Sequence, residues 1–220
     1  MANIGFISLG CAKNLVNSEQ MLYLMDEAGY TLVPQSEGAD LVIINTCGFI
    51  APAQEEAIDT ILEMAAFKQT GKCKVLCVTG CLTQRYGADL LEEMPEIDVM
   101  LGVNQCNTLI DALEKALGGK KYANTKESLS FLECGRILTT PPYSAYIKTG
   151  DGCDNRCAYC IIPYLRGKFR SRNMDDVLYE ARMLADSGVK ELIVVAQDTS
   201  RYGTDLPGHK RLLPELLHKL

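Results

Sequence analysis

The chain has 220 residues, 47% of them hydrophobic, and its 28 acidic against 22 basic side chains give a formal net charge of -6. That length supports one or two cored domains, and the acidic balance argues against a surface built to coat nucleic acid. Ten cysteines without a basic N-terminal leader or any run of membrane-spanning length read better as metal ligands and buried thiols than as a disulfide framework, and predict a cytoplasmic chain whose thiols stay reduced.

From the N-terminus, short apolar runs alternate with helical patterns. Residues 4–9, 40–44, 75–78 and 97–101 read as buried strands. Pro52 suits the first turn of a helix whose apolar face is Ala57, Ile58, Ile61, Leu62 and Ala65. Asn107 is expected to cap a helix carrying Ile110, Leu113 and Leu117, which Gly118 ends. The alternation predicts an α/β fold with a doubly wound, mainly parallel sheet and right-handed crossovers over residues 1–134. Residues 135–144, with Pro141-Pro142, read as a linker.

Over residues 145–220 the pattern restarts, with a strand at 145–149, a helix at 173–187 and a strand at 191–196. Asn173 is placed to cap that helix, Asp175 and Asp176 sit in its positive first turn, and Gly188 stops it. One strand-helix-strand unit does not close a barrel. Because the chain stops at Leu220 inside an apolar helical pattern, the expectation is a piece of a longer protein lacking most of its second domain.

The run Gly152-Cys153-Asp154-Asn155-Arg156-Cys157-Ala158-Tyr159-Cys160 offers three thiolates and no fourth ligand nearby. Structural zinc takes four closed ligands, and the two histidines, His209 and His218, lie far along the chain. A four-iron cluster held by three thiolates instead leaves one iron free to bind something else. Cys11, Cys47 and Cys81 form a second set, each just beyond the carboxyl end of an expected strand. In a parallel sheet those ends share the edge where such folds place ligands. The plain alternative is small buried thiols. Cys73, Cys77, Cys106 and Cys134 are assigned to packing; along a strand Cys77 and Cys81 would stand on the order of 13 Å apart. No G-x-G-x-x-G or P-loop follows a strand, so a nucleotide-binding doubly wound domain has no support.

Together these residues resemble the methylthiotransferase family of radical S-adenosylmethionine (radical SAM) enzymes over the whole chain. Residues 8–19 are similar to its N-terminal signature, and Asn45-Thr46-Cys47 and Gly80-Cys81 to its next two ligand elements. The resemblance implies two 4Fe-4S clusters and S-adenosyl-L-methionine, in a first domain followed by the start of a partial (β/α) barrel. Cys153, Cys157 and Cys160 would hold the cofactor-binding cluster, and Cys11, Cys47 and Cys81 the auxiliary one. Arg166-Gly167 and Ser171-Arg172 match an R-G-x3-S-R element, which implies that Arg166 balances the cluster or pairs with the cofactor carboxylate. Gln197 and Asp198, at the end of the second barrel strand, are the other cofactor-binding candidates.

Two branches of the family are known, one modifying a tRNA isopentenyladenosine and the other an aspartate of ribosomal protein S-12. Residues 9–16, 152–157 and 196–203 resemble the second, although that branch usually has Pro where Ala12 stands and Asp where Asn17 stands. This implies radical transfer of a methylthio group to the aspartate beta carbon of ribosomal protein S-12 or of the small ribosomal subunit carrying it. A reductant such as flavodoxin or ferredoxin and a sulfur donor would be partners, with neither membrane nor nucleic acid for this piece. The alternatives are the tRNA branch and, in another class, a non-catalytic iron-sulfur electron carrier or regulatory module. The absent fourth ligand counts against the latter.

Overall fold

A computed structural model describes residues 2–34 and 36–220. The chain divides into two compact units, one ending at Arg136 and the other running from Ile137 to Leu220.

The first unit contains β1 (Asn3–Ser8), α1 (Ala12–Glu27), β2 (Thr31–Val33), β3 (Leu41–Thr46), α2 (Ala51–Thr70), β4 (Val75–Gly80), α3 (Cys81–Tyr86), α4 (Ala88–Glu93), β5 (Val99–Leu101), α5 (Leu109–Leu117) and β6 (Tyr122–Asn124). Its six strands are parallel throughout, in the order β2-β1-β3-β4-β5-β6. β3 and β4 are buried along their whole length, because helices cover both faces of the sheet. Side-chain alternation divides the core into two layers. Val42, Ile44, Leu76 and Val78 pack on Ala57, Ile61, Met64 and Ala65 of α2. Leu41, Ile43, Val75, Cys77 and Val99 pack on Met21 and Met25 of α1 and on Leu109, Ala112 and Leu113 of α5.

Three local expectations change. Leu62 is 51% exposed, and Met64 takes its place on the buried face of α2. The i, i+4, i+7, i+8 spacing of Ala57, Ile61, Met64 and Ala65 makes one stripe that turns Leu62 to solvent. Asn107 does not cap α5: it lies inside a single-turn 3-10 helix, Cys106–Thr108, and α5 starts only at Leu109. Leu117, at the end of α5, is exposed. The edge strands β2 and β6 are three residues each, too short to show a period in sequence.

Beyond β6 an irregular segment lies against α1. Gln20 Nε2 donates to Leu132 O at 2.7 Å, and the buried Arg136 and Glu19 side chains pair at 3.6 Å. The expected linker therefore starts with residues still fastened to the first unit.

The second unit contains β7 (Ser144–Lys148), β8 (Gly150–Asp151), α6 (Ile162–Arg166), β9 (Arg170–Ser171), α7 (Met174–Asp186), β10 (Glu191–Val195) and α8 (Leu213–Lys219). β7 and β10 are parallel neighbours joined through α7, a strand-helix-strand unit, while β8 and β9 form a small antiparallel ladder. The Asn173 side chain accepts from Asp175 N at 2.9 Å, and beyond α7 Val189 N donates back to Leu184 O across Gly188. Ile147, Val177, Ala181, Tyr202 and Leu216 form the core of this unit. Among the described residues no helix is long and apolar enough to cross a membrane.

Candidate metal centres

In the first unit Cys11 is the N-cap position of α1, Cys47 follows β3 directly, and Cys81 is the first residue of α3 after β4. β1, β3 and β4 are adjacent, with Ser8 opposite Asn45, Asn45 opposite Thr79 and Thr46 opposite Gly80. The three cysteines thus leave the sheet at one edge. Cys11 and Cys47 flank the point where strand order reverses, the usual ligand crevice of an open parallel sheet. Close approach of the loops depends on Gly80: its φ is +106°, and a Cβ there would stand 2.5 Å from Thr46 O. Arg85 of α3 brings positive charge to the same edge, donating to Gly48 O at 2.8 Å. Cys11 is exposed, Cys47 half-buried and Cys81 buried.

The remaining cysteines stand elsewhere. Cys73, Cys77 and Cys106 are buried in the two core layers, and burial, then the neighbouring Cys106 and Asp98, pushes the Cys77 thiol far above its usual range. Cys134 lies half-buried in the irregular segment.

In the second unit Cys153, Cys157 and Cys160 occupy the loop between β8 and α6. Gly152 enters it at φ +75°, where a Cβ would stand 2.1 Å from Lys168 O, so no side chain fits. Cys153 N donates to Gly167 O at 3.1 Å and Cys160 N to Cys157 O at 3.0 Å. Cys157 is exposed, and the other two are half-buried.

Beneath this loop lies Asp151, fully buried. Its carboxylate accepts from Gly152 N at 2.9 Å, from Arg166 Nη1 at 3.2 Å on each oxygen, and from Gln197 Nε2 at 3.0 Å. Lys148 Nζ lies 3.5 Å away and Arg170 Nη2 3.7 Å. Burial alone would raise this carboxyl, but the charges of Arg166, Lys148 and Arg170 and the Gly152 N–H outweigh it and hold the group well below the usual carboxylate range.

Two further ties hold the loop from the segment after β10. Asp154 accepts from Phe169 N at 3.2 Å and from Arg201 Nη2 at 3.3 Å, and the Arg201 guanidinium sits over the Phe169 ring. Asn155 Nδ2 donates to Asp198 Oδ2 at 3.4 Å. Asp198 also caps the Thr199–Arg201 turn, and its hydrogen bonds from Ser200 are the chief cause of a lowered carboxyl pKa.

The Arg166 guanidinium is buried and bonds both oxygens of Asp151, so it supports the loop from within. Gln197 and Asp198 do come to the cysteine loop, through Asp151 and Asn155 respectively. The anchoring roles of Asp151, Asp154 and Asn155 are additions. Their only signal in sequence is their place beside and inside the C-x3-C spacing.

Among the described residues no three His, Cys, Asp or Glu side chains close around a position for one metal ion. Each candidate site would instead offer three thiols, with neither imidazole nor carboxylate in the set. That chemistry fits an iron-sulfur cube, whose separate irons each take one thiolate.

The second unit is of the radical SAM class: the family model described as "Radical SAM superfamily" matches residues 147–217, and "Uncharacterized protein family UPF0004" matches residues 3–102. The ribosomal protein uS12 methylthiotransferase RimO of Desulforamulus reducens is 50% identical over 100% of this chain and 50% of its own length. That of Pelotomaculum thermopropionicum is 51% identical over 99% of this chain and 49% of its own length. The chain is similar to the RimO methylthiotransferases along essentially its whole length, and it spans about half the length of the curated relatives it matches. A radical S-adenosylmethionine methyltransferase, TsrM from Kitasatospora setae, solved with cobalamin and a [4Fe-4S] cluster bound, shares the fold at a TM-score of 0.63. It is 14% identical, and the match covers 100% of this chain and 53% of that one.

Proposed function

We propose that this chain is the front half of a radical SAM methylthiotransferase that modifies an aspartate of ribosomal protein S-12 at its beta carbon. The reading is supported by three cysteines on one braced loop and three more at one sheet edge, with no further His, Cys, Asp or Glu closing a metal site around them among the described residues. The relatives' names support the choice of substrate.

Cys153, Cys157 and Cys160 would hold one 4Fe-4S cluster and Cys11, Cys47 and Cys81 the other. When bound, the clusters and S-adenosyl-L-methionine supply one-electron cleavage of the cofactor and the sulfur and methyl group to be transferred. The chain's own part is placement. Asp151, with Arg166, Lys148 and Gln197 around it, fixes the base of the cysteine loop. Asp154 and Asn155, held by Arg201 and Asp198, fix its middle. Arg85 keeps a cation beside the sheet-edge site, where thiolate ligands add negative charge. A cytoplasmic reductant such as flavodoxin or ferredoxin and a sulfur donor complete the partners.

The test uses the full-length protein reconstituted without oxygen. Cys153→Ala is expected to abolish cofactor cleavage, whereas Cys47→Ala should cleave cofactor and transfer no methylthio group. Cleavage by the first variant or transfer by the second removes the corresponding assignment. A methylthio mark found by mass analysis on tRNA and not on ribosomal protein S-12 redirects the substrate to the other branch.

A further inference from the structure

We infer that Asn14 is the positioning residue that sets the spacing of the three sheet-edge cysteines; this rests on the reading that Cys11, Cys47 and Cys81 share one cluster. Asn14 is the third residue of α1 and is 2% exposed. A carboxamide buried that deeply must spend its donors and acceptor on protein partners. Its partners here come from all three cysteine-bearing segments. Asn14 Nδ2 donates to Leu9 O at 3.3 Å, on the stretch leading into Cys11, and to Thr46 O at 2.9 Å, the peptide preceding Cys47. In the metal-free protein the Cys81 thiol donates to Asn14 Oδ1 at 3.9 Å, which puts the carboxamide beside the third cysteine as well.

The surroundings show how little room this arrangement leaves. A Cβ on Gly10 would stand 3.0 Å from Asn14 Nδ2 and 3.1 Å from Cys47 Cβ. Asn14 O in turn accepts from Asn45 Nδ2 at 3.0 Å, which ties the first turn of α1 to β3. The parallel ladder of β1, β3 and β4 ends before the cysteines, so backbone pairing alone does not hold the three segments at a common distance. A single carboxamide reaching all three does. Its Cβ leaves the first helical turn three residues after Cys11, and its two N–H groups match two carbonyls on neighbouring strand ends. No aliphatic or shorter polar side chain at that position makes the same bonds.

The experiment compares Asn14→Ala, Asn14→Asp, Ser18→Ala and Cys47→Ala in the anaerobically reconstituted full-length protein, read by iron and sulfide content and by the spin-resonance spectrum of the reduced clusters. Ser18 is the comparison: it lies on the same helix, is buried, and bonds the side chains of Ser8 at 2.7 Å and Asn45 at 2.9 Å, inside β1 and β3, but neither the Leu9 and Thr46 carbonyls nor a cysteine sulfur. Asn14→Ala is expected to fall from about eight irons per chain to about four and to lose the auxiliary signal, with the spectrum of the Cys153 loop cluster and its cofactor cleavage unchanged. Asn14→Asp keeps the side-chain shape but replaces both donated N–H groups with oxygen, and it is expected to show the same loss or a shifted auxiliary spectrum even if the alanine variant folds poorly. Ser18→Ala is expected to keep all its iron. Full iron and an unaltered auxiliary spectrum in both Asn14 variants overturn the proposal, as does an equal iron loss in Ser18→Ala, which would mark a general packing effect. Full iron in Cys47→Ala fails the two-cluster reading itself and brings this proposal down with it.

Discussion

Replacing Asp151 with Asn keeps its shape and deletes its charge, at a point where the consequence is legible from the surroundings. The carboxylate is 0% exposed and faces Arg166 at 3.2 Å, Lys148 at 3.5 Å and Arg170 at 3.7 Å. An exposed ion pair would contribute about 0–1 kcal/mol, whereas deleting one partner of a buried pair costs about 3–5 kcal/mol because the charges left behind remain desolvated. The second unit of Asp151→Asn is therefore expected to lose about 3–5 kcal/mol in urea unfolding followed by circular dichroism. The pH dependence follows from the direction of the shift. The folded carboxyl titrates below its unfolded value of about 3.9, so its stabilisation is whole above about pH 4 and drains as acid protonates it through the lower folded value. The parent is expected to lose stability across that acid window, and the variant to lack that component. A variant within about 1 kcal/mol of the parent, with the same acid profile, would refute the view that Asp151 is the charged anchor of the loop.

Two further outcomes are expected. Gly152→Ala is expected to lower the melting temperature and the iron bound at the Cys153 loop well beyond the roughly 1–3 kcal/mol of a strained φ alone, because its Cβ would fall 2.1 Å from Lys168 O. Gly188→Ala, also at positive φ but with nothing within 4 Å, isolates that strain, and equal losses in the two variants would contradict the clash. In metal-free folded protein, alkylation mapped by peptide mass should mark Cys11 and Cys157 first and Cys73, Cys77 and Cys106 last; Cys77 labelling as fast as Cys157 would contradict its place in the core.

Much of this fold is written locally. β3 and β4 are apolar on both faces because helices cover both faces, so their runs announce themselves without knowledge of their neighbours. The helix α7 carries its own cap at Asn173 and its own stop at Gly188, and both act within a turn of where they stand in sequence. The three thiols of the loop lie within eight consecutive positions, and no tertiary contact is needed to see them as one group.

The misplaced residues share a different cause. Which flank of α2 is buried depends on the phase at which it meets the sheet, and that phase exposes Leu62. The start of α5 is set by a 3-10 turn that composition does not signal, which moves the helix past Asn107. Local sequence carries the charge of Arg166 but not the direction in which it points, because its partner Asp151 and the glutamine completing that network, Gln197, are 46 residues apart. Likewise, cysteines at three strand ends are visible in one dimension, while their company at one edge follows from the adjacency of β1, β3 and β4. Periodicity, caps and close cysteine spacing act over a few residues and so survive in the linear order. Strand order, helix phase and the aim of a buried charge arise from contacts between distant segments, and only the folded chain decides them.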